Sequence, residues 1–375
     1  MSKVSRANSF DAVRLCAAIA VLVTHAFVVL RRPTPSFGAV SIGDPAVPIF
    51  FGISGYLITQ SWVANPDLRG FALKRVLRIY PAVISVALLT VFVLGPLVTT
   101  VPLHDYFTSG ETWHYLAMNA LSFHIMFTLP GVFAHNPWHL VNRSLWTLPG
   151  ELLGYLSVAA LGVVGAYRNR WLALAGLLVV AAFAGHIPGT ISVVEGWWLR
   201  AFAVGSGLFL FRDLIPRRLW IGALLVAAVL LCGEGHAYAL QSCLSSLAFP
   251  YAAVVIAHRF PNLLKPITRH GDFSYGAYAY GWPVEQLLVL WLGRSASVAV
   301  LLPLAFVATM SLAVTSWFVI ERPALRLKRR VGRRPAVAAA GAPATAAAQP
   351  TAEVVLEGPA LTDLGLVAAP PTIGS

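Results

Sequence analysis

The sequence predicts an all-α integral membrane protein with about ten transmembrane helices. Of its 375 residues, 58% are hydrophobic and only 11% are charged, and the mean hydropathy is +0.73. A soluble protein has a charged fraction of about 25%. The formal net charge of +12 is spread between apolar runs and forms no single basic patch. It therefore indicates loops facing anionic lipid and argues against nucleic acid as a partner.

Ten apolar segments are long enough, or nearly long enough, to cross a bilayer, which takes about 20 residues. We predict them as the membrane spans. They run roughly over residues 10–30, 42–62, 76–98, 146–166, 171–187, 196–211, 218–233, 238–257, 273–292 and 297–320.

The loop charges predict that both termini are cytoplasmic, because Lys and Arg concentrate in cytoplasmic connections. Every second connection is strongly basic, namely those that contain Arg75, Arg168, Arg217 and Lys265 and the segment that follows the last span. A basic pair, Arg31 and Arg32, follows the first span on the predicted outer side. That pair is the one exception to the pattern.

A long connection, residues 99–145, contains a further apolar stretch. An eleventh span here would invert every later loop, so we predict a re-entrant or interfacial helix near 113–129 on the outer face. The connection also has four histidines. Pro137 interrupts the helix that would align His135 with His139, and no carboxylate or thiol joins them, so we predict no metal site.

Residues 6–327 are predicted to form one membrane-embedded domain. Residues 328–375 begin with a basic juxtamembrane stretch and continue as a segment rich in Ala and Pro without periodicity. Such a composition is typical of a disordered tail, here predicted to be cytoplasmic.

Arg14 and His25 lie inside the first apolar segment, where ionisable side chains are costly and usually mark a functional site. Eleven residues separate them, which is three helical turns and about 16 Å along the axis. They therefore share one helix face. Arg14 is a permanent cation, whereas His25 can exchange a proton near neutral pH.

Two further polar pairs lie beside predicted spans. Arg75 and Arg78 share a helix face at a cytoplasmic end, where two guanidinium groups suit a phosphate-bearing ligand; equally, they could anchor the helix to lipid headgroups. Trp146 and Glu151 stand at the outer end of the fourth span. Glu151 could pair with a cation or bind a hydroxylated substrate, or it could simply favour a helix N-terminus.

Other motifs favour structural roles. In the segment 50–59, FFGISGYLIT, Gly55 follows Ser54 directly, which is not the spacing of a nucleophile elbow. We predict that Gly52 and Gly55 allow another helix to approach closely. Asp272 is placed to cap the span that begins after it.

Six segments, in order, resemble the motifs of the acyltransferase-3 family of integral membrane proteins, which includes bacterial O-antigen and exopolysaccharide O-acetyltransferases. They are NSFDAVRLCAAIAVLVTHAF, FFGISGYLIT, RVLRIYPA, NRSLWTLPGELLGYL, SYGAYAYGWPVEQ and ERPALRL. The resemblance covers roughly residues 10–327, nearly the whole predicted membrane domain. One departure is Gly281, which stands where many members have a histidine shortly before the proline that is here Pro283.

This resemblance implies an O-acyltransferase of the cell (inner) membrane. It would move an acyl group, often acetyl, from cytoplasmic acyl-CoA to a hydroxyl of an extracytoplasmic or lipid-linked carbohydrate. Acyl-CoA, most commonly acetyl-CoA, would be a substrate, and no tightly bound cofactor is expected. The implied roles are a general base for His25, a catalytic or donor-steadying role for Arg14, coenzyme-phosphate binding for Arg75 and Arg78, and acceptor binding for Trp146 and Glu151.

No Cys or Ser stands beside an evident base, so the sequence favours direct transfer over a covalent acyl-enzyme. A proton-coupled exporter of a small molecule or glycan precursor is the main alternative, because intramembrane Arg and His residues also serve transporters. The two halves show no internal repeat, which argues against it. A scaffold that binds glycan without chemistry is a further alternative.

Overall fold

The structure, a computed structural model, consists almost entirely of α-helices and describes residues 9–38, 40–183, 197–232 and 238–331. Most of the predicted tail, from residue 332 onward, lies outside the described residues. So do residues 6–8 of the predicted membrane domain and the last residues of the predicted spans 171–187 and 218–233.

We number the helices and strands in chain order. The helices are α1 (Phe10–Val29), α2 (Ala46–Ala64), α3 (Leu68–Leu89), α4 (Gly95–Val98), α5 (Leu103–Thr108), α6 (Gly110–Leu121), α7 (Leu148–Val163), α8 (Arg170–Phe183), α9 (Trp197–Leu210), α10 (Leu219–Leu231), α11 (Tyr238–Arg259), α12 (Lys265–Thr268), α13 (Ser274–Leu292), α14 (Val298–Ser316) and α15 (Arg322–Val331). Two short strands, β1 (Ser36–Phe37) and β2 (Val40–Ser41), pair antiparallel after α1. Short π-helical turns span Thr90–Leu94 and Trp317–Glu321, and 3₁₀ turns span Arg143–Thr147 and Ala166–Arg168.

Each of the ten segments predicted as spans overlaps one of these helices. In the parts of the chain that the structure describes, five helical stretches are long and apolar enough to cross a membrane: Phe10–Val29, Ala46–Ala64, Leu68–Val98, Ala239–Arg259 and Val298–Leu327. Helices α8, α9 and α10 are apolar but shorter. The all-α, multi-pass membrane class is therefore confirmed. The number of ten spans, the cytoplasmic termini and the re-entrant segment stay predictions.

Helix α3 is capped at its first turn, and a π-helical turn extends it at its other end. The Asp67 side chain accepts a hydrogen bond from the Gly70 amide at 2.9 Å and so caps the first turn. The π-helical turn Thr90–Leu94 then connects α3 to α4 without a break, which gives a helical stretch of 31 residues. Arg75 and Arg78 consequently lie in its second and third turns, near the capped end.

The prediction that Gly52 and Gly55 permit a close helix approach is confirmed. A Cβ at Gly55 would lie 2.0 Å from the Phe202 carbonyl oxygen, and one at Gly205 would lie 1.9 Å from the Gly52 carbonyl oxygen. Only glycine fits at these contacts, so the backbones of α2 and α9 touch. The Ser206 hydroxyl uses this proximity to donate to the Gly55 carbonyl oxygen at 3.2 Å.

Helices α1 and α13 lie side by side and run parallel. Arg14, near the start of α1, is 3.8 Å from Asp272, which directly precedes α13, whereas His25 lies beside Glu285 in the later turns of α13. Small residues of both helices and of α14, including Ala18 and Ala277, pack against each other between these two ends. The pair of helices therefore connects two polar sites through an apolar middle.

The connection 99–145 begins with α5 and α6. Helix α6 ends at Leu121, earlier than the predicted stretch 113–129, because Ser122 adopts a left-handed conformation with φ 62° and its amide donates to the Met118 carbonyl oxygen. The chain then passes over the ends of α1 and α13. There the Trp138 indole donates to the Val28 carbonyl oxygen at 2.7 Å.

The basic pair that broke the charge pattern has a structural role at this end of the molecule. The Arg31 guanidinium donates to the Pro137 carbonyl oxygen, at 2.6 Å from Nη2, and Arg32 donates to the Ala296 carbonyl oxygen at 3.1 Å. Both side chains therefore fasten connecting segments to the end of α1. Their presence after the first span is explained by these hydrogen bonds and needs no change in the predicted orientation.

Candidate active site

A cavity of about 880 Å³ lies between α1, α2, α3, α7 and the start of α13. Its size is typical of a ligand pocket, for which about 300–1,000 Å³ is usual. The cavity brings together four of the predicted site residues: Arg14, Arg75, Arg78 and Glu151. Basic side chains in its wall outnumber acidic ones. The basic residues are Arg14, Lys74, Arg75, Arg78, Arg269 and Arg322, and the acidic ones are Asp11, Glu151 and Asp272.

Asp272 joins two of these cations across the helix bundle. Its carboxylate forms an ion pair with Arg78 and lies 3.8 Å from Arg14. It also accepts a hydrogen bond from the Ser274 amide at 3.1 Å, although the N-cap position of α13 is Phe273 and not Asp272 as predicted. Burial alone would raise the pKa of this carboxyl, but the guanidinium groups of Arg78 and Arg14 and the hydrogen bonds from Ser274 outweigh burial and hold the pKa below its ordinary value.

Arg75 and Arg14 retain hydrogen-bonding capacity in the cavity. The Arg75 guanidinium lies over the rings of Phe71 and Tyr155, at 5.6 and 5.8 Å from their centroids, and it forms no ion pair with any residue that the structure describes. Arg14 donates to the Ser54 hydroxyl at 3.4 Å. The buried Nε of each arginine has no partner in the described part of the chain. Since an unpaired buried cation is costly, Arg75 is suited to an anionic ligand, and Arg14 keeps a free Nε beside its ion pair with Asp272.

The two residues predicted for the acceptor lie apart. Glu151 is in the cavity wall, where its carboxylate accepts a hydrogen bond from the Tyr155 hydroxyl. Trp146 is not in that wall. Its ring packs edge-on against Trp198, with centroids 5.9 Å apart. Glu151 and Arg75 therefore both lie beside Tyr155. The predicted role of Trp146 and Glu151 in binding the acceptor stays a prediction.

His25 lies beyond the end of the cavity, among residues of α13. Its Nδ1 is 3.9 Å from Oε2 of Glu285, and its ring meets Trp282 edge-on with centroids 4.9 Å apart. Glu285 is fully buried, and neither of its carboxylate oxygens has a hydrogen-bond partner among the residues described. The distance between Nδ1 and Oε2 is longer than a hydrogen bond, so Glu285 lies beside the His25 ring without a hydrogen bond to it.

The two ends of the site are well separated. Because α1 is continuous from Phe10 to Val29, the step of eleven positions from Arg14 to His25 corresponds to about 16 Å. One small group therefore cannot contact both side chains at once. Anion binding beside Arg14 and proton transfer at His25 stay predictions, and they would take place in two separate parts of the site.

Several residues of this site escaped the sequence analysis. Glu285 carried a usable signal, because it is an acid inside an apolar segment, the same criterion that selected His25. No sequence pattern indicates the ion pairs of Asp272, because 194 residues separate Asp272 from Arg78. Arg143, whose guanidinium carbon is 5.7 Å from the Trp282 ring centroid, looks in sequence like an ordinary loop arginine.

Position 281, where this chain departs from the family motif, faces α1. A Cβ at Gly281 would meet one side-chain atom, Cδ1 of Leu22, at 3.2 Å. A larger residue there would have to displace Leu22, which lies one turn before His25. Within the described ranges, no group of three His, Cys, Asp or Glu side chains is arranged to hold a metal ion.

Comparisons with known proteins agree with this architecture. The family model Acyl_transf_3, described as an acyltransferase domain, matches residues 7–322. An O-acetyl transferase of Shigella phage Sf6 is 30% identical over 335 residues, which covers 84% of this chain and 96% of the relative. Nodulation protein 10 of Rhizobium leguminosarum bv. viciae is 31% identical over 376 residues, which covers 88% of this chain and 97% of the relative. No solved structure matches the chain. The chain belongs to the acyltransferase-3 family and is an O-acyltransferase of the membrane.

Proposed function

We propose that the protein transfers an acyl group, acetyl in the simplest case, from cytoplasmic acyl-CoA to a hydroxyl of an extracytoplasmic or lipid-linked carbohydrate in the inner membrane. One observation carries the proposal: the basic cavity and the His25–Glu285 pair lie at opposite ends of the same two helices, α1 and α13. A phosphate-bearing donor and a hydroxyl acceptor require these two different environments. The printed name of the phage relative, an O-acetyl transferase, supports acetyl as the group.

The donor would enter the cavity with its phosphates near the basic side chains. Arg75 forms no ion pair with a described residue, so its planar guanidinium is available to bind a phosphate through two parallel hydrogen bonds. Arg78 lies on the same helix face, and Lys74 adds charge at the wall. The excess of positive charge also attracts an anionic donor before it docks. Arg14, in the same wall beside Ser54, would steady the thioester end.

The chemistry would take place beside His25. His25 would remove the proton from the acceptor hydroxyl while that oxygen attacks the carbonyl carbon of the thioester. The carbon–sulfur bond then breaks, the coenzyme leaves as its thiolate, and the proton held by His25 passes to that sulfur. General-base assistance of this kind typically contributes about 10²- to 10⁴-fold. Glu285 would stabilise the protonated imidazole that exists between the two proton transfers.

The gap between the donor cavity and His25 is short along α13. Tyr278 is the last residue of α13 in the cavity wall, and Trp282, which contacts His25, follows four residues later. Four residues correspond to about 6 Å, or about one helical turn. An acceptor hydroxyl that enters this gap from the outer side could therefore reach a thioester at the cavity end. Trp146 and Glu151 remain the residues that we propose for carbohydrate contacts.

The proposal favours direct transfer from donor to acceptor. The side-chain contacts of His25 among the described residues are with Glu285 and Trp282, and neither is a nucleophilic serine or cysteine. Radiolabelled acetyl-CoA should therefore leave no stable label on the purified protein when acceptor is absent. A stable covalent label would overturn direct transfer and indicate an acyl-enzyme.

The acyltransfer itself is tested by mass spectrometry of surface polysaccharide from a strain that lacks the gene. We expect the deletion to remove ester-linked acyl groups, the wild-type gene to restore them, and His25→Ala to fail to restore them at equal protein level. Full restoration by His25→Ala would contradict its role as base. Loss of glycan export with normal acylation would favour the exporter alternative.

A further inference from the structure

Arg143 stands beside the gap between the donor cavity and the proposed base. It begins a 3₁₀ turn whose two ends are fastened to α13. At one end the Asn142 side chain donates to the Ala279 carbonyl oxygen at 2.9 Å, and at the other the Thr147 hydroxyl forms a hydrogen bond of 3.1 Å with the Tyr278 hydroxyl. The backbone that carries Arg143 is therefore fixed against the part of α13 that borders this gap.

The Arg143 guanidinium lies over a side chain that also contacts His25. Its Cζ is 5.7 Å from the Trp282 ring centroid, and the His25 ring meets the same indole edge-on. Arg143 also interacts electrostatically with both His25 and Tyr278. Trp282 is fully buried whereas Arg143 is exposed, so the guanidinium is the part of this cluster that an arriving ligand can reach.

Arg143 differs from the arginines of the neighbouring connections because it fastens no other segment. Arg31, Arg32 and Arg294 each donate to a backbone carbonyl oxygen of a connecting segment. The Arg143 side chain forms neither a hydrogen bond nor an ion pair with any residue in the described ranges. Outer connections of membrane proteins contain fewer Lys and Arg than cytoplasmic ones. An arginine on the predicted outer side without a structural partner is therefore well suited to hold a ligand.

The position of Arg143 matches the acceptor and not the donor. The donor phosphates would bind in the cavity near Arg75, whereas Arg143 lies on the side from which the acceptor hydroxyl would enter the gap. A guanidinium binds a carboxylate or a phosphate through two parallel hydrogen bonds. An anion bound to Arg143 would also balance its positive charge, which otherwise opposes the charge that His25 acquires with the proton.

We propose that Arg143 binds an anionic group of the acceptor, so that the acceptor is an acidic carbohydrate whose anionic group lies close to the hydroxyl that is acylated. This inference rests on the proposed function, because it assumes that acyl transfer takes place beside His25. A sugar carboxylate and the phosphate of a lipid-linked glycan share the required chemistry. A neutral carbohydrate would leave Arg143 without a partner.

The test measures transfer from radiolabelled acetyl-CoA, by the full chain in lipid nanodiscs, to unacylated glycan isolated from the deletion strain. One portion of the glycan is treated with carbodiimide and methylamine, which converts carboxylates to neutral amides. Another portion is treated with mild acid, which removes a lipid diphosphate. Removal of the anion that Arg143 binds should raise the wild-type KM for the acceptor by about 10-fold or more. An increase after amidation identifies a carboxylate, and an increase after mild acid identifies a phosphate.

Arg143→Ala should raise the KM for untreated glycan by a similar factor and should lose the response to the treatment that removes the bound anion. It should bind acetyl-CoA like the wild type, which shows that the variant is folded. Arg143→Lys keeps the charge and should recover part of the response. Arg32→Ala is the matched control, because it removes another exposed outer arginine, and it should keep the wild-type KM and response.

Two results would overturn the anion-binding inference alone. One is a wild-type KM that neither treatment raises, and the other is an equal response of the wild type and folded Arg143→Ala to both treatments. A wild-type protein that transfers no acetyl group to untreated glycan would instead overturn the proposed function.

Discussion

At the scale of single residues, the most unusual group is Glu285. It is fully buried beside a histidine, and its carboxylate oxygens have no hydrogen-bond partner within the described residues. Burying a carboxylate in this way is costly unless a nearby group becomes positively charged during the reaction. His25 becomes such a group when it accepts a proton. Glu285 is therefore interpreted as a positioning residue that acts through His25.

Glu285→Gln should lower acyl transfer by at least about 10-fold and leave acetyl-CoA binding unchanged, because Glu285 is outside the cavity wall. Without the carboxylate, His25 becomes harder to protonate, so the pH profile of transfer should also shift. Glu285→Asp should recover part of the activity. The measurements are ester-linked acetyl formed against pH and radiolabelled acetyl-CoA binding. A pH profile that is identical in Glu285→Gln and the wild type would reject this role.

Sequence alone identified two of the three residues of this site that are costly in their own segment, and it missed Glu285. Arg14 and His25 stand out as ionisable groups in an apolar run. The partners of these residues depend on helix packing, which no local pattern records. Asp272 looks like a cap in the sequence, but Phe273 holds the N-cap position in the structure. The ion pairs of Asp272 with Arg78 and Arg14 appear only when α1, α3 and the start of α13 come together.

At the scale of elements, Asp272 connects α1, α3 and α13 at one end of the bundle. Asp272→Asn keeps an oxygen to accept from the Ser274 amide but removes the charge that balances Arg14 and Arg78. Breaking a buried ion pair typically costs about 3–5 kcal/mol. We expect a clearly lower midpoint of thermal unfolding in detergent at neutral pH. Asp213→Asn, which removes an exposed pair with Arg170, is the control and should change the midpoint little.

The same ion pairs predict a pH dependence. The pKa of Asp272 is held below its ordinary value, so its stabilising contribution is complete above the ordinary carboxyl pKa of about 3.9 and is lost as the pH falls further through the lowered value. Unfolding midpoints measured from pH 7 to pH 3 should therefore decrease more in the wild type than in Asp272→Asn. Parallel curves for the two proteins would contradict this assignment.

The helices themselves were largely predictable, because apolar runs of membrane length carry a strong signal. Each of the ten predicted segments overlaps a helix in the part of the chain that the structure describes. The end of α6 was not predictable from apolarity, because the helix stops where Ser122 adopts a left-handed conformation. Beyond that point the Asn119 side chain donates a hydrogen bond to the Met126 carbonyl oxygen at 3.0 Å. The hydrogen bonds of Arg31 and Arg32 to distant carbonyl oxygens were equally hidden in the sequence.

At the scale of the whole molecule, the proposed function requires the cavity to face the cytoplasmic side of the membrane. The loop charges predict that the loop between α11 and α13 is cytoplasmic and that the connection containing α6 is outside. Single cysteines at Gly110 and Asn262 test this orientation, in a background where Cys16, Cys232 and Cys243 are replaced by Ser. In intact cells, a membrane-impermeant maleimide should label Gly110→Cys, and it should label Asn262→Cys only after permeabilisation. Labelling of both before permeabilisation would contradict the predicted topology.

The central claim is that the basic cavity binds the donor while His25, about 16 Å away along α1, performs the proton transfer. The most direct measurement compares Arg75→Ala with His25→Ala for both acetyl-CoA binding and acetyl transfer, in membrane vesicles whose cytoplasmic face is accessible. We expect Arg75→Ala to weaken binding by at least about 10-fold, since it removes a charge-assisted contact to phosphate. His25→Ala should bind acetyl-CoA like the wild type and transfer about 10²- to 10⁴-fold more slowly. Wild-type transfer by His25→Ala, or loss of binding in His25→Ala with full binding in Arg75→Ala, would contradict the account.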